Sequence, residues 1–329
     1  MHRILFAGGA LLLAGFSPAQ AQEGAPADSL PPAGWQKAAD LGLNLTQSGY
    51  SDSWEGSESG SITWTVTGNT SAENQIHPKV HWRNNLKLLY GETHRQVADP
   101  ATSGRIWQSP EKSTDRIFLE SLMNLTLGAF VDPYAAFTVE SQFYSEYGSP
   151  KLKSSTGADS LINDTIERRF LSPLKLTESA GVGKQIIQEE QHKLFSRLGF
   201  ALRQDFLQIP TAGDPGVWDL ESQTVKDGGL EWVTDYEKVF GAQRMKIVSK
   251  LRVFQALFSS AKDDLAADEF PDNDDSWQAT DIGFENTLSA SLTKYLQMTF
   301  FVEWLYDQQI IDRGRFRETL GLGLTYKLF

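Results

Sequence analysis

Charged side chains recur at every second position in the later part of this chain. Arg244, Lys246, Lys250 and Arg252 share one parity of an alternating stretch at 243–258. Glu231, Asp235 and Glu237 take the matching parity of the stretch before it, 229–239, and Asp281 and Glu285 that of the stretch after it, 278–290. A basic strand between two acidic ones forms cross-strand ion pairs on a single face of a sheet. Two roles are open to such a face. It can be a structural lattice that fills and stiffens the space it borders, or a charged constriction that selects solutes. Arg244, Lys246, Lys250, Arg252, Glu231, Asp235, Asp281 and Glu285 are therefore the candidate lining of a pore.

The residue types needed for catalysis are sparse. The chain has no Cys, so it has neither thiolate chemistry nor disulfide staples. Four histidines, His77, His81, His94 and His192, lie beyond the first twenty-one residues, and G-x-S-x-G, H-E-x-x-H and a phosphate-cradling glycine loop are all missing from the sequence. Hydrolysis of lipid esters would need a Ser–His pair within hydrogen-bond reach and a third group to hold the ring, with His94 the candidate. The acidic run Lys262–Asp275, KDDLAADEFPDNDD, offers carboxylates for a divalent cation bridging to lipopolysaccharide phosphates, yet lacks the order of a calcium loop. It reads as a solvated loop. No catalytic residue, metal site or cofactor is assigned.

The elements that position the charged face follow from the alternation. The last stretch, FRETLGLGLTYKLF at 316–329, sets Leu320, Leu322, Leu324, Tyr326 and Leu328 on one parity and Arg317, Thr319, Gly321, Gly323 and Thr325 on the other. Phe329 ends the chain out of phase with the leucines. Twelve such segments are expected, at 37–48, 60–69, 79–92, 115–128, 133–145, 173–184, 192–206, 229–239, 243–258, 278–290, 294–307 and 316–329. Their connections alternate between tight even-numbered turns and longer odd-numbered loops, among them 93–114, 146–172, 207–228 and 259–277. An up-and-down barrel sorts its connections to opposite ends in this way, whereas a soluble sandwich has no reason to. Tyr90, Tyr134, Tyr144, Trp232, Tyr236, Tyr295, Trp304 and Tyr306 fall near segment ends, where they are expected to form aromatic girdles.

Residues 1–21 carry Arg3, an apolar run from Ile4 to Phe16 and an Ala19-Gln20-Ala21 site, which predicts a cleaved signal peptide. A periplasmic spacer at 22–34 and an outer-membrane β-barrel at 35–329 would follow. Loss of Arg3 takes the formal charge from −12 to −13, which argues against nucleic acid as a partner. The chain is 40% hydrophobic and 11% aromatic, with 27 Gly and nine Trp, at a mean hydropathy of only −0.34. A barrel reconciles these values, because every second residue faces lipid and the others face a polar interior.

Trp35, Leu41–Trp64 (LGLNLTQSGYSDSWEGSESGSITW), Val80–Gly91 (VHWRNNLKLLYG), Lys112–Asp115, Phe137–Phe143 and Phe170-Leu171-Ser172-Pro173 resemble an uncharacterised family of outer-membrane barrels from Gram-negative bacteria. Trp54-Glu55-Gly56-Ser57 stands where many members carry Gly-Gly after the tryptophan. The resemblance implies a barrel in the outer membrane and supplies no activity.

The expectation is an all-β, transmembrane antiparallel β-barrel of about twelve strands with both termini periplasmic, monomeric and porin-like. It would meet outer-membrane lipid and lipopolysaccharide, and the barrel-assembly machinery through its C-terminal strand. As a function, a narrow passive pore for small hydrophilic solutes is expected. A structural or adhesive barrel presenting its loops is the alternative, and a lipid-ester hydrolase a further one.

Overall fold

In a bilayer every backbone N–H and C=O must find a partner within the protein, and a sheet achieves this only by closing on itself. The computed structural model of the chain describes residues 34–49, 59–98, 105–144, 146–147, 166–168, 170–211, 219–260, 276–308 and 311–328. Within them twelve long strands form one closed antiparallel barrel. They are β1 (Trp35–Ser48), β2 (Ser61–His77), β3 (Val80–Ala98), β4 (Glu111–Leu125), β5 (Asp132–Ser141) and β6 (Leu174–Glu189), then β7 (His192–Thr211), β8 (Asp219–Phe240), β9 (Met245–Ser259), β10 (Thr280–Ser291), β11 (Leu296–Asp307) and β12 (Ile311–Lys327). Each strand pairs with its sequence neighbours, and β12 pairs with β1 to close the ring. The signal peptide, the acidic run 262–275, most of loop 146–172 and Phe329 lie outside the described residues.

The strand number and phase follow the sequence expectation. Leucines and aromatics point outward and stay exposed, as at Leu41, Leu43, Leu198, Phe200, Leu230 and Trp232, while Glu120, Arg197 and Glu231 are buried inside. An apolar exterior around a charged interior is the reverse of a soluble protein and matches a lipid-facing barrel. Aromatic pairs gather at the two ends of the wall. Trp35 and Trp82 meet edge to face at the end of the tight turns, as do His192 and Tyr236, and Trp64, Tyr90 and Tyr144 stack near the loop end.

The structure differs from the sequence expectation in the length of several strands and in the placement of two residues. The β7–β8 hairpin runs on to the pair Thr211↔Asp219, so most of the expected loop 207–228 is strand. Hydrogen bonding carried it past the point where the apolar alternation fades, because beyond the lipid neither face need be greasy. For the same reason β2 extends to His77, and β12 begins at Ile311 rather than at 316. Tyr134 belongs to no girdle, since its ring is buried inside with Leu122, Ala136 and Phe195. Arg244 falls in the turn Gly241–Arg244, where Gly241, Ala242 and Gln243 all adopt positive φ and delay the next strand to Met245.

Small residues let the inner walls close together. A Cβ on Gly199 would collide with the carbonyl oxygen of Ala180 on the neighbouring strand and lie 2.5 Å from the Tyr134 hydroxyl oxygen. Gly199→Val is expected to prevent barrel closure, seen as loss of the heat-shifted band of folded protein on a gel, whereas the outward Leu198→Val keeps it.

Candidate functional site

The inward parity of β4 places Arg116, Phe118, Glu120 and Leu122 in a row facing the lumen. Phe118, Glu120 and Leu122 are each almost fully buried. Glu120 reaches across the barrel rather than along its wall. It accepts a hydrogen bond from Arg197 Nη2 of β7 at 2.6 Å, and Lys250 Nζ of β9 donates to both of its oxygens, at 2.9 and 2.8 Å. Asp235 of β8 joins the cluster, 3.4 Å from Lys250 Nζ, 3.8 Å from Arg197 Nη1 and 3.5 Å from Arg83 Nη2 of β3. Since β4 and β9 are separated by at least four strands either way round, these bonds cross the lumen.

A second layer sits toward the loop end. Arg116 contacts Glu140 of β5 at 2.9 Å, Glu285 of β10 at 2.7 Å and Glu303 of β11 at 3.9 Å. Arg317 of β12 holds the other oxygen of Glu303 at 2.7 Å, and Lys87 of β3 lies 3.8 Å from Glu285. Between the layers the Phe118 ring has the cationic groups of Lys87, Arg116 and Lys250 at 5.6, 5.0 and 5.4 Å from its centroid. These distances suit cation–π attraction, and the ring keeps three like charges apart. Above this layer a cavity of about 230 Å³, bordered by Arg116, Glu140, Lys175, Glu303 and Arg317, has room for several waters at roughly 30 Å³ each.

A third group staples the β7–β10 wall. Arg203 pairs with Asp281 at 2.8 Å and lies 3.5 Å above the Phe254 ring, while Arg252 sits 3.4 Å from Glu231. Trp277, carried by a short 3-10 turn at Ser276–Gln278, caps Phe254, Ala201 and Ala256 from the loop end.

Of the residues that the alternation singles out, the structure brings Lys250 and Asp235 together in the central cluster, and Glu285 into the second layer. Arg252 with Glu231, and Lys246 with Glu237 at 2.9 Å, pair between neighbouring strands, and Asp281 binds Arg203. Arg244 lies in the turn before the ninth strand rather than on its ladder. The sequence reading did not select Glu120, Arg197, Arg116 or Arg83. Their inward parity was readable, yet nothing in spacing says that residues on opposite walls meet.

The histidines are scattered. His81 lies 3.4 Å from Glu73, His94 4.0 Å from Glu92 and His192 4.0 Å from Glu189, at different places on the wall.

The opposite wall is different in kind. Midway along the wall, inward positions of β1, β2 and β12 are Gly42, Asn44 and Thr46, then Thr63, Thr65, Thr67, Asn69 and Ser71, then Thr319, Gly321, Gly323 and Thr325, with Asp40 and Glu73 on the same parity toward the turn end and Arg315 and Arg317 toward the loop end. Most of them keep solvent contact, whereas inward residues of β4, β5 and β7 are largely buried. The lattice thus fills one side of the barrel and leaves a hydroxyl- and amide-lined strip along the other.

Part of the chain matches a known family model, and its backbone is similar to solved structures. The model of a family described as a protein of unknown function (DUF3078) matches residues 45–147, the stretch that holds much of the resemblance noted above. A search of the curated proteins finds no match. Similar solved structures include the translocator domain of autotransporter NalP from Neisseria meningitidis, 10% identical, covering 91% of this chain and 90% of that one at a TM-score of 0.33. The COG4313 outer membrane channel from Pseudomonas putida F1 is 14% identical, covering 93% and 99% at a TM-score of 0.36. At these scores the likeness carries no argument of its own. The strand pairing and the inverted polarity identify the chain as a transmembrane β-barrel of the outer-membrane type.

Removing one partner from a buried pair leaves the other charge uncompensated, at a cost of about 3–5 kcal/mol. Glu120→Ala takes the shortest contact from both Arg197 and Lys250 and leaves them Asp235 at 3.8 and 3.4 Å, so its gel-shift melting midpoint should fall below that of the wild type. Lys246→Ala, at an exposed pair, should leave the midpoint nearly unchanged.

Proposed function

We propose that the protein is a narrow passive pore for small hydrophilic solutes, with its conducting path set to one side of the barrel. The observation that carries this reading is the asymmetry of the interior. Ion pairs from β4 to β7–β10 occupy the middle, and the strip along β12, β1 and β2 is lined by Thr, Ser, Asn and Gly. The middle of the strip offers hydrogen bonds, with fixed charge only toward its ends at Asp40 and Glu73 and at Arg315 and Arg317, which suits neutral or weakly charged solutes more than strongly charged ones. In this reading the basic ninth strand stiffens the barrel, its charges being neutralised by Glu120, Asp235, Glu231 and Glu237. Selectivity falls instead to Arg317 and Glu303, which border the strip at its loop end. The outer membrane is the bilayer that this architecture fits.

A second reading is favoured by one feature. The β7–β8 hairpin continues its ladder past the ends of its neighbours, since β6 pairs with β7 only as far as Leu174↔Phe206 and β9 with β8 only as far as Asp227↔Ser259. A projecting rod of this kind could dock an envelope partner. A folded barrel that stays silent in a bilayer would favour it.

Planar-bilayer recording of the refolded protein decides between them. Discrete, small conductance steps are expected. Thr319→Trp, which puts a bulky ring into the strip, should reduce the step size, while Leu230→Trp on the lipid face should not. Folded protein without steps would overturn the pore reading.

A further inference from the structure

The seam that closes the barrel is the shortest ladder between long strands. β1 pairs with β2 along its whole length, from Trp35↔Asn74 to Ser48↔Ser61, but with β12 only from Asp40↔Lys327 to Asn44↔Gly323. One further bond, from Leu328 N to Ala39 O, extends it at the turn end. Toward the loop end the same register would set Leu45 opposite Leu322, Gln47 opposite Leu320 and Ser48 opposite Thr319, yet none of these residues pairs across the seam among the described residues. The strand itself is not frayed. On its other edge β12 stays paired with β11 as far as Asp307↔Ile311.

From this geometry we propose that the loop-end half of the β1–β12 seam is a lateral portal between the lumen and the bilayer, used by single-chain amphiphiles. The portal goes beyond the pore reading and does not depend on it. Its two sides differ in chemistry. The outer lips are Leu45, Phe316, Leu320 and Leu322, at 59%, 63%, 64% and 51% exposure, among the most exposed large apolar residues on the wall. Behind them the lumen presents Asn44, Thr46 and Thr319. Asn44 also spans the last closed rung, its side chain lying over Gly321 and Gly323 and leaving no room for a Cβ on Gly323.

A gap in a barrel wall at membrane depth leaves backbone N–H and C=O groups facing hydrocarbon unless something polar reaches them. A molecule with a polar head and one apolar tail satisfies both sides at once. The head takes hydrogen bonds from the seam backbone, Asn44 and Thr319, and the tail lies against the leucines. A single extended chain also suits an opening comparable with the roughly 4.8 Å spacing of neighbouring strands.

The absence of native cysteine makes the test direct. Paired cysteines are introduced as L43C/L324C within the closed rungs and Q47C/L320C across the portal, and each folded barrel is oxidised in lipid bilayers. The first pair is expected to form a disulfide readily. The second should react at least about tenfold more slowly, because Cα atoms beyond about 7 Å cannot be bridged without backbone movement. In parallel, wild-type barrel in bilayers is photolabelled with a diazirine-bearing fatty acid and mapped by mass spectrometry. Labelling of the inward residues Thr46 and Thr319, and its loss when Q47C/L320C is held shut by a short bis-maleimide, is the expected result. Equal oxidation rates for the two pairs would mean a continuous wall and overturn the portal. So would a label confined to outward residues, or disulfide-linked dimers of the single variant L320C, which would show the free edge pairing with a second copy.

Discussion

The interior of this barrel depends on the carboxylate of Glu120. It is buried, and it meets the guanidinium of Arg197, three strands along the wall, and the ammonium of Lys250, which reaches it across the lumen. A charge taken out of water is tolerable only when its partners and hydrogen bonds are in place. Once Glu120 is fixed, Arg197 and Lys250 are fixed, and through them Asp235 and Arg83. The positions of β3, β4, β7, β8 and β9 are thereby tied together across the space that an empty barrel of this strand number would leave open. Phe118 completes the arrangement by giving three cations a shared ring instead of one another.

Filling one side has a consequence for the other. The glycines and small residues of β6 and β7 let that wall approach Tyr134 and Phe195, so the interior is dense where the ion pairs are. Along the middle of β12, β1 and β2 the inward residues are short and uncharged, with Asp40 and Glu73 toward the turn end and Arg315 and Arg317 toward the loop end. The same wall contains the shortest seam. Solvent access, small side chains and a brief closing ladder therefore coincide on one arc of the barrel. A path through the lumen and a path out through the wall would both use that arc.

Much of the architecture was legible in the chain. Period-two alternation at Leu41, Leu43 and Leu45, at Leu198, Phe200 and Leu202, and at Leu320, Leu322 and Leu324 reports which face meets lipid, because apolar side chains have only one favourable place to go. The ladder ends were less legible. At Leu207–Thr211 and Asp219–Lys226 the strands outlast the alternation, since backbone pairing alone carries the ladder there. Phe118, Phe195, Phe254 and Tyr134 show the converse. They are aromatics on the inward parity, which a strict division into greasy outside and polar inside does not anticipate.

Local patterning determined by itself the all-β class, a count of about twelve strands and the inward placement of Lys250, Asp235, Glu231 and Glu285, because these depend only on neighbours along the strand and on the solvent each face meets. Tertiary structure alone decided that Glu120 meets Lys250, that Arg116 meets Glu285 and that β12 releases β1 after Asn44↔Gly323. Those outcomes follow from barrel closure, which sets the distance between walls and the register of the final seam, and neither quantity is encoded in the spacing within any one strand.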